Sequence, residues 1–210
     1  MQAQDMNIKL NFINRSDEAN DPDIVIFAMP VEPDSRDLAV AWQVIRHCGR
    51  GDSHPFVFPE ATDVGCSDSD GNFTPRLPAA TGQRFTMTLA PSGHELVASG
   101  QGSSPIQVQV LNGLQSGAIN AHIYKAGKLF LRKTAIAPEE LAAFQFKPTI
   151  WIGAVSQVEE GQPLNSAVTS SVDAELSLLG IASADIVMTG GGPGPKAPPL
   201  KFTLDNVVMA

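Results

Sequence analysis

The stretch that most restricts this chain lies near its C-terminus: Thr189, then Gly190-Gly191-Gly192-Pro193-Gly194-Pro195-Lys196-Ala197-Pro198-Pro199. Neither a helix nor a central strand can hold such a run, because glycine is costly to order and proline brings no N–H. Yet residues 200–210 alternate as a strand. Phe202, Leu204 and Val208 fall on one face, and Lys201, Thr203 and Asp205 on the other. A strand so placed must find a sheet to pair with. The ten residues 190–199, extended at about 3.1 Å each, reach roughly 30 Å. The strand can therefore close its own sheet or complete that of a second copy. The run is no phosphate loop: no Lys-Ser/Thr follows it, its prolines remove donors, and a strand rather than a helix comes next.

Composition places the rest of the chain in the same class. Charged residues make up only 17% of the 210, while glycine (18) and proline (16) are plentiful and hydrophobic residues reach 43%. That balance reads as a globular, all-β chain with frequent turns. The net charge is −8, and the 14 lysines and arginines are scattered, which argues against nucleic acid and against docking on an anionic membrane. No apolar run approaches the roughly 20 residues of a transmembrane segment. Residues 1–6 show neither a basic nor an apolar leader pattern, so the expected location is the cytoplasm, or outside the cell by a route without a classical signal peptide. Two cysteines, Cys48 and Cys66, read as free thiols.

Along the chain, strand patterns occur at Asn7–Ile13, Asp23–Phe27, Ala61–Cys66, Arg84–Leu89, Glu95–Ala98, Ile106–Leu111, Ile119–Lys125, Lys128–Lys133, Ala143–Phe146, Ile150–Ile152, Ala167–Leu178, Ile181–Met188 and Lys201–Met209. Ala126-Gly127 reads as a hairpin turn, and Gly51–Pro59 as a loop around His54-Pro55-Phe56. One helix is predicted, over about 35–48. Asp34 or Ser35 caps it, Leu38, Ala41, Trp42, Ile45 and Cys48 form its apolar stripe, and Gly49 stops it. The expected architecture is a single β-sandwich domain over 1–210, with roughly ten strands and this one inserted amphipathic helix. A Gly/Pro-rich linker, 190–199, precedes the C-terminal strand 200–210.

The runs Phe146-Lys-Pro-Thr-Ile-Trp-Ile-Gly153 and Gly180–Gly194, with Leu38-Ala-Val-Ala-Trp42 and His54-Pro-Phe56, resemble a family of uncharacterised bacterial proteins of about this length. The resemblance covers most of the chain. It implies a compact, mostly β domain and carries over no catalytic or binding residue.

Two places in the sequence invite a chemical reading. Asp68, Asp70, Asn72 and Thr74 set oxygen side chains at every second position, the pattern that offers ligands to a hard cation such as Ca²⁺. The spacing is not that of an EF-hand, since Gly71 is fourth and Ala79 twelfth, and the plainer reading is an Asx/Gly turn. His47, Cys48, His54 and Cys66 match no zinc-ligand spacing. Neither a Gly-x-Ser-x-Gly elbow nor a local Cys/His signature is present, although His94, His122 and the many serines leave room for a triad assembled in space. Trp151, flanked by Ile150 and Ile152, is the aromatic expected at the surface. The expectation is a non-enzymatic protein that acts through its surface, by self-assembly as a homo-oligomer or by partner binding, with no cofactor. The alternatives are a metal-binding protein or metalloenzyme, and a toxin-like binder of membrane or carbohydrate.

Overall fold

The computed structural model describes residues 7–18, 22–31, 36–165, 169 and 174–210. Nearly all of the ordered backbone is β. In chain order the strands are β1 (Ile8–Asn14), β2 (Asp23–Phe27), β3 (Asp37–Ala39), β4 (Gln43–Ile45), β5 (Ser53–Phe58), β6 (Thr62–Ser67), β7 (Leu77–Ala79), β8 (Gln83–Ala90), β9 (Gly93–Gln101), β10 (Gln107–Asn112), β11 (Ile119–Lys125), β12 (Lys128–Ile136), β13 (Leu141–Gln145), β14 (Thr149–Val155), β15 (Ala174–Ser177), β16 (Ile181–Thr189) and β17 (Lys201–Met209). They fall into two compact units. The first takes Met1–Ala28, Ala41–Glu60 and Pro148–Ala210, and the second Met29–Val40 and Ala61–Lys147.

The first unit holds two four-stranded sheets, in the orders β17-β16-β1-β5 and β15-β14-β2-β4. β1 runs parallel to β16 and antiparallel to β5. Alternation along β1 buries Leu10 and Phe12 and leaves Lys9 exposed, as a half-buried strand requires. β2 lies between β14 and β4, and its run Ile24-Val25-Ile26-Phe27 is wholly buried. Trp42 ties the two sheets together. Its N–H donates to the Ile26 carbonyl of β2, while its ring meets Phe58 of β5 edge-on at 5.5 Å.

The second unit holds a four-stranded sheet, β13-β10-β8-β9, and a five-stranded one, β3-β12-β11-β6-β7. Phe85, Met87, Val108, Val110 and Phe144 are buried in the first of these, and Val64, Cys66, Ala121, Ile123 and Leu131 in the second. The β11–β12 hairpin turns at Ala126-Gly127, both at positive φ (51° and 73°), as a two-residue hairpin turn demands. Lys133, opposite Ala121 on β11 and Asp37 on β3, is buried with its charge compensated: Nζ lies 2.9 Å from the equally buried Asp37 carboxylate.

Two local expectations are corrected. The helix at about 35–48 is absent from the described residues 36–48, which carry β3 and β4; Asp34 and Ser35, its expected caps, lie outside the described residues. The helical spacing of Leu38, Ala41, Trp42, Ile45 and Cys48 coincides with a continuous buried run, Val40-Ala41-Trp42. Its N–H groups bond far along the chain, Ala41 to the Gln162 carbonyl and Trp42 to that of Ile26. Long-range ladder bonds and β-branched Val40, Val44 and Ile45 outweigh the periodicity. Gly51–Pro59, read as a loop, contains β5. Pro55 fits there because β5 is the edge of its sheet. Of the long run Ala167–Leu178, residues 167–168 and 170–173 lie outside the described residues, and Ala174–Ser177 forms β15.

Residues 190–199 form the loop of the β16–β17 hairpin. Gly191 N–H donates to the Pro198 carbonyl across it, and Asp17 N–H donates to the Gly190 carbonyl. Gly190 has φ +86°, and a Cβ there would run into the Pro199 carbonyl oxygen, so glycine is required. No helix among the described residues is long and apolar enough to cross a membrane.

Candidate functional site

The Asp68–Thr74 segment leaves the end of β6 and folds back on it, with Phe73 bridging to Ser67 and Thr74 N–H donating to the Cys66 carbonyl. Asp68 is buried and organises the turn. Its Oδ1 accepts the N–H groups of Asp70 (3.0 Å) and Asn72 (2.9 Å), while Oδ2 lies 3.0 Å from Asn72 Nδ2 and 3.1 Å from His94 Nδ1. The Asn72 side chain, then its backbone N–H, then His94 and the Asp70 N–H hold the Asp68 carboxyl down at about 2. Thr74 is buried too, its hydroxyl accepting the Cys66 N–H at 3.0 Å, whereas Asp70 and Asn72 are exposed. Of the four oxygen side chains proposed for a cation, two face inward and two outward. A cation would compete with Asn72 and two backbone N–H groups for Asp68. Among the described residues, no three His, Cys, Asp or Glu side chains group so as to hold a metal ion. Cys48 and Cys66 are buried and form no disulfide, and burial pushes the Cys66 thiol up to about 12.

On the sheet beside this loop, a polar chain escaped the sequence reading. β6 and β11 pair Ser67 with Asn120 and Gly65 with His122. Ser67 Oγ lies 3.1 Å from Asn120 Nδ2 and 3.1 Å from His122 Nε2. His122 is buried, and the exposed Phe73 ring lies over it at 5.3 Å. Arg132 sits opposite it on β12, and Arg76 caps Tyr124 at 3.8 Å. Burial first, then the charges of Arg132 and Arg76, depress His122 to about 4. Both causes favour the neutral imidazole, whose Nε2 lies within hydrogen-bond distance of the Ser67 hydroxyl.

The last strand pairs with β16 of its own chain and forms the edge of the sheet. Phe202 is buried and packs on Phe12 at 6.4 Å, and Leu204 is half-buried. Val208 is 56% exposed although its parity with Phe202 places it inward. The reason is local: the β16–β17 register shifts between the Ser183 and Asp185 pairs, and Asn206 takes φ +49°, so the alternation is broken after Asp205. In the regular part, Asp205 lies directly opposite Asp185. The amides of Asn11 (3.1 Å) and Asn206 (2.7 Å) bond to Asp185, which tempers that like-charge pair. Neither Lys201 nor Asp205 has an ion-pair partner among the described residues. Trp151 is half-buried on β14, on the face opposite Ile150 and Ile152, between Glu175 and Phe27. No family model matches the chain, no curated protein matches it, and no solved structure matches it.

Proposed function

We propose that this protein is a non-enzymatic β-sandwich protein that acts through its surface by self-assembly, with the open edge of β17 pairing to β17 of a second copy. The observation that carries this reading is the sequence Lys201-Phe-Thr-Leu-Asp205 on that edge. An antiparallel pair about a two-fold axis at Thr203 sets Lys201 opposite Asp205 of the second copy, Phe202 opposite Leu204, and Thr203 opposite itself. Both unlike charges meet, and both apolar side chains stay on the core face. The cation also compensates the Asp185–Asp205 contact inside each copy. At the other edge of the sheet, β5 carries Pro55, which blunts pairing, whereas β17 contains no proline. β9, the other nine-residue edge strand, has no charge-complementary centre of this sort.

The test is molar mass by light scattering over a concentration series. A dimer that dissociates on dilution is expected, and Asp205→Lys should shift it toward monomer. A protein that stays monomeric up to about 100 μM, where even weak specific pairing would register, refutes the reading.

A further inference from the structure

Three buried side-chain nitrogens have no hydrogen-bond partner among the described residues: Nε of Arg84, Nδ1 of His122 and Nε of Arg132. Two of the three belong to residues directly opposite each other in the β11–β12 ladder, His122 and Arg132. Buried polar atoms in native proteins are nearly always satisfied, so two orphans on residues directly opposite each other call for a partner such as a water or an ion.

The surrounding bonds fix what these atoms offer. Ala135 N–H donates to Asn120 Oδ1 at 3.2 Å, which turns the amide's NH₂ toward Ser67 Oγ at 3.1 Å. Ser67 accepts that bond and places its own proton on its other neighbour, His122 Nε2, at 3.1 Å. Nε2 is then an acceptor, and the ring proton sits on Nδ1. Arginine Nε is always a donor. Both orphans are therefore N–H groups, and neither can satisfy the other. Arg132 has no carboxylate partner among the described residues, in a chain that has 22 acidic residues to 14 basic ones. Arg76 adds a second guanidinium beside Tyr124, whose ring lies 6.2 Å from that of His122. Two donors in a field of two guanidiniums call for an acceptor that carries negative charge.

We propose that His122 and Arg132 form a binding site for a small oxyanion, a phosphate or carboxylate group, which accepts from His122 Nδ1–H and Arg132 Nε–H and is covered by Phe73. The exposed Phe73 ring follows the Asp68–Asn72 turn and lies 5.3 Å from the His122 ring. This site is built from residues of the second unit and β17 belongs to the first, so the proposal stands whether or not the protein dimerises.

The experiment is an NMR titration of the ¹⁵N-labelled full-length protein with inorganic phosphate and, separately, with acetate, at constant ionic strength and neutral pH. Signals are followed at His122 Nδ1–H, with Arg84 Nε–H as the control site. Saturation at His122 without a parallel change at Arg84 is expected, and Arg132→Gln should weaken it by about tenfold or more, since a charge-assisted donor is lost. Saturation by phosphate alone, by acetate alone, or by both identifies the oxyanion class. Lack of saturation by either anion up to about 20 mM, far above a specific Kd, overturns the proposal and leaves a water as the acceptor. Equal binding by Arg132→Gln and the unaltered protein overturns it too. The wild-type comparison of His122 with Arg84 decides the matter even if that variant fails to fold.

Discussion

Lys201→Asp reverses one of the two charges that the proposed dimer sets face to face, and the two-fold axis makes the change count twice. An opposite-charge pair directly across two antiparallel strands contributes about 0.2–1 kcal/mol, and a like-charge pair costs a similar amount. Each contact then loses about 0.4–2 kcal/mol, and the dimer about 0.8–4 kcal/mol. At about 1.4 kcal/mol per decade, the dimer Kd rises roughly fourfold to several hundredfold. Asp205→Lys does the same to the dimer but acts oppositely on the monomer, where it turns the Asp185–Asp205 contact into an attraction. Its signature is a higher melting temperature together with weaker association, which no general unfolding effect reproduces. The double variant, Lys201→Asp with Asp205→Lys, restores two unlike pairs and should recover the dimer. Sedimentation equilibrium measures all four proteins, and at about 1 M salt, where the Debye length falls to about 3 Å, their differences should shrink. If the double variant remains as dissociated as the single ones, the antiparallel register centred on Thr203 is wrong.

Four further outcomes concern the fold. Trp42→Ala should cost about 3–5 kcal/mol in urea unfolding, because the residue is 1% exposed and its ring packs edge-on against Phe56 and Phe58. Gly190→Ala should destabilise by about 2 kcal/mol or more, since φ is +86° and the new methyl meets the Pro199 carbonyl; differential scanning calorimetry would detect it. Ala126→Asn should stabilise by roughly 0.5–1 kcal/mol, because asparagine tolerates the φ of 51° that the hairpin imposes on alanine. The His122 imidazole titrates near 4 in the folded chain and near 6.5 in the unfolded one, so between those values the unfolded state binds more protons. Stability should therefore fall as pH drops from about 6.5 to about 4, by on the order of 3 kcal/mol, and His122→Gln should flatten that slope in a denaturant series.

Much of the strand architecture is legible from period and turn chemistry. β2, β11 and β17 have the bounds that their residue patterns predict, and the Ala126-Gly127 turn lies where its glycine says. The failures share a cause: information held by distant partners. Leu38–Cys48 satisfies a helical template, but β12, β2 and Gln162 supply the bonds that make it extended. Pro55 looks like a breaker until β5 is known to be an edge. Val208 leaves its expected face because of a bulge that sequence alternation cannot register. Asp68 to Thr74 is readable as a polar turn, and that is what Asp68 builds. The Ser67–His122 contact joins residues 55 positions apart, and only the β6–β11 register makes them neighbours.

The way the first unit is threaded has a consequence for how the chain acquires its structure. The Asn11–Asp185 hydrogen bond closes a separation of 174 residues, and β1 meets β16 in parallel. The second unit, by contrast, needs only residues 29–40 and 61–147. As the chain emerges from the ribosome, every strand of the second unit is available before β16 exists, while β1 has only β5 to bond to. β1 must wait with its apolar face, Leu10 and Phe12, lacking the β16 and β17 side chains that later enclose it. High contact order of this kind slows closure and prolongs exposure of a sticky edge. The first unit is thus expected to set the folding rate and the tendency to aggregate during synthesis, even where the second is the larger contiguous piece of chain.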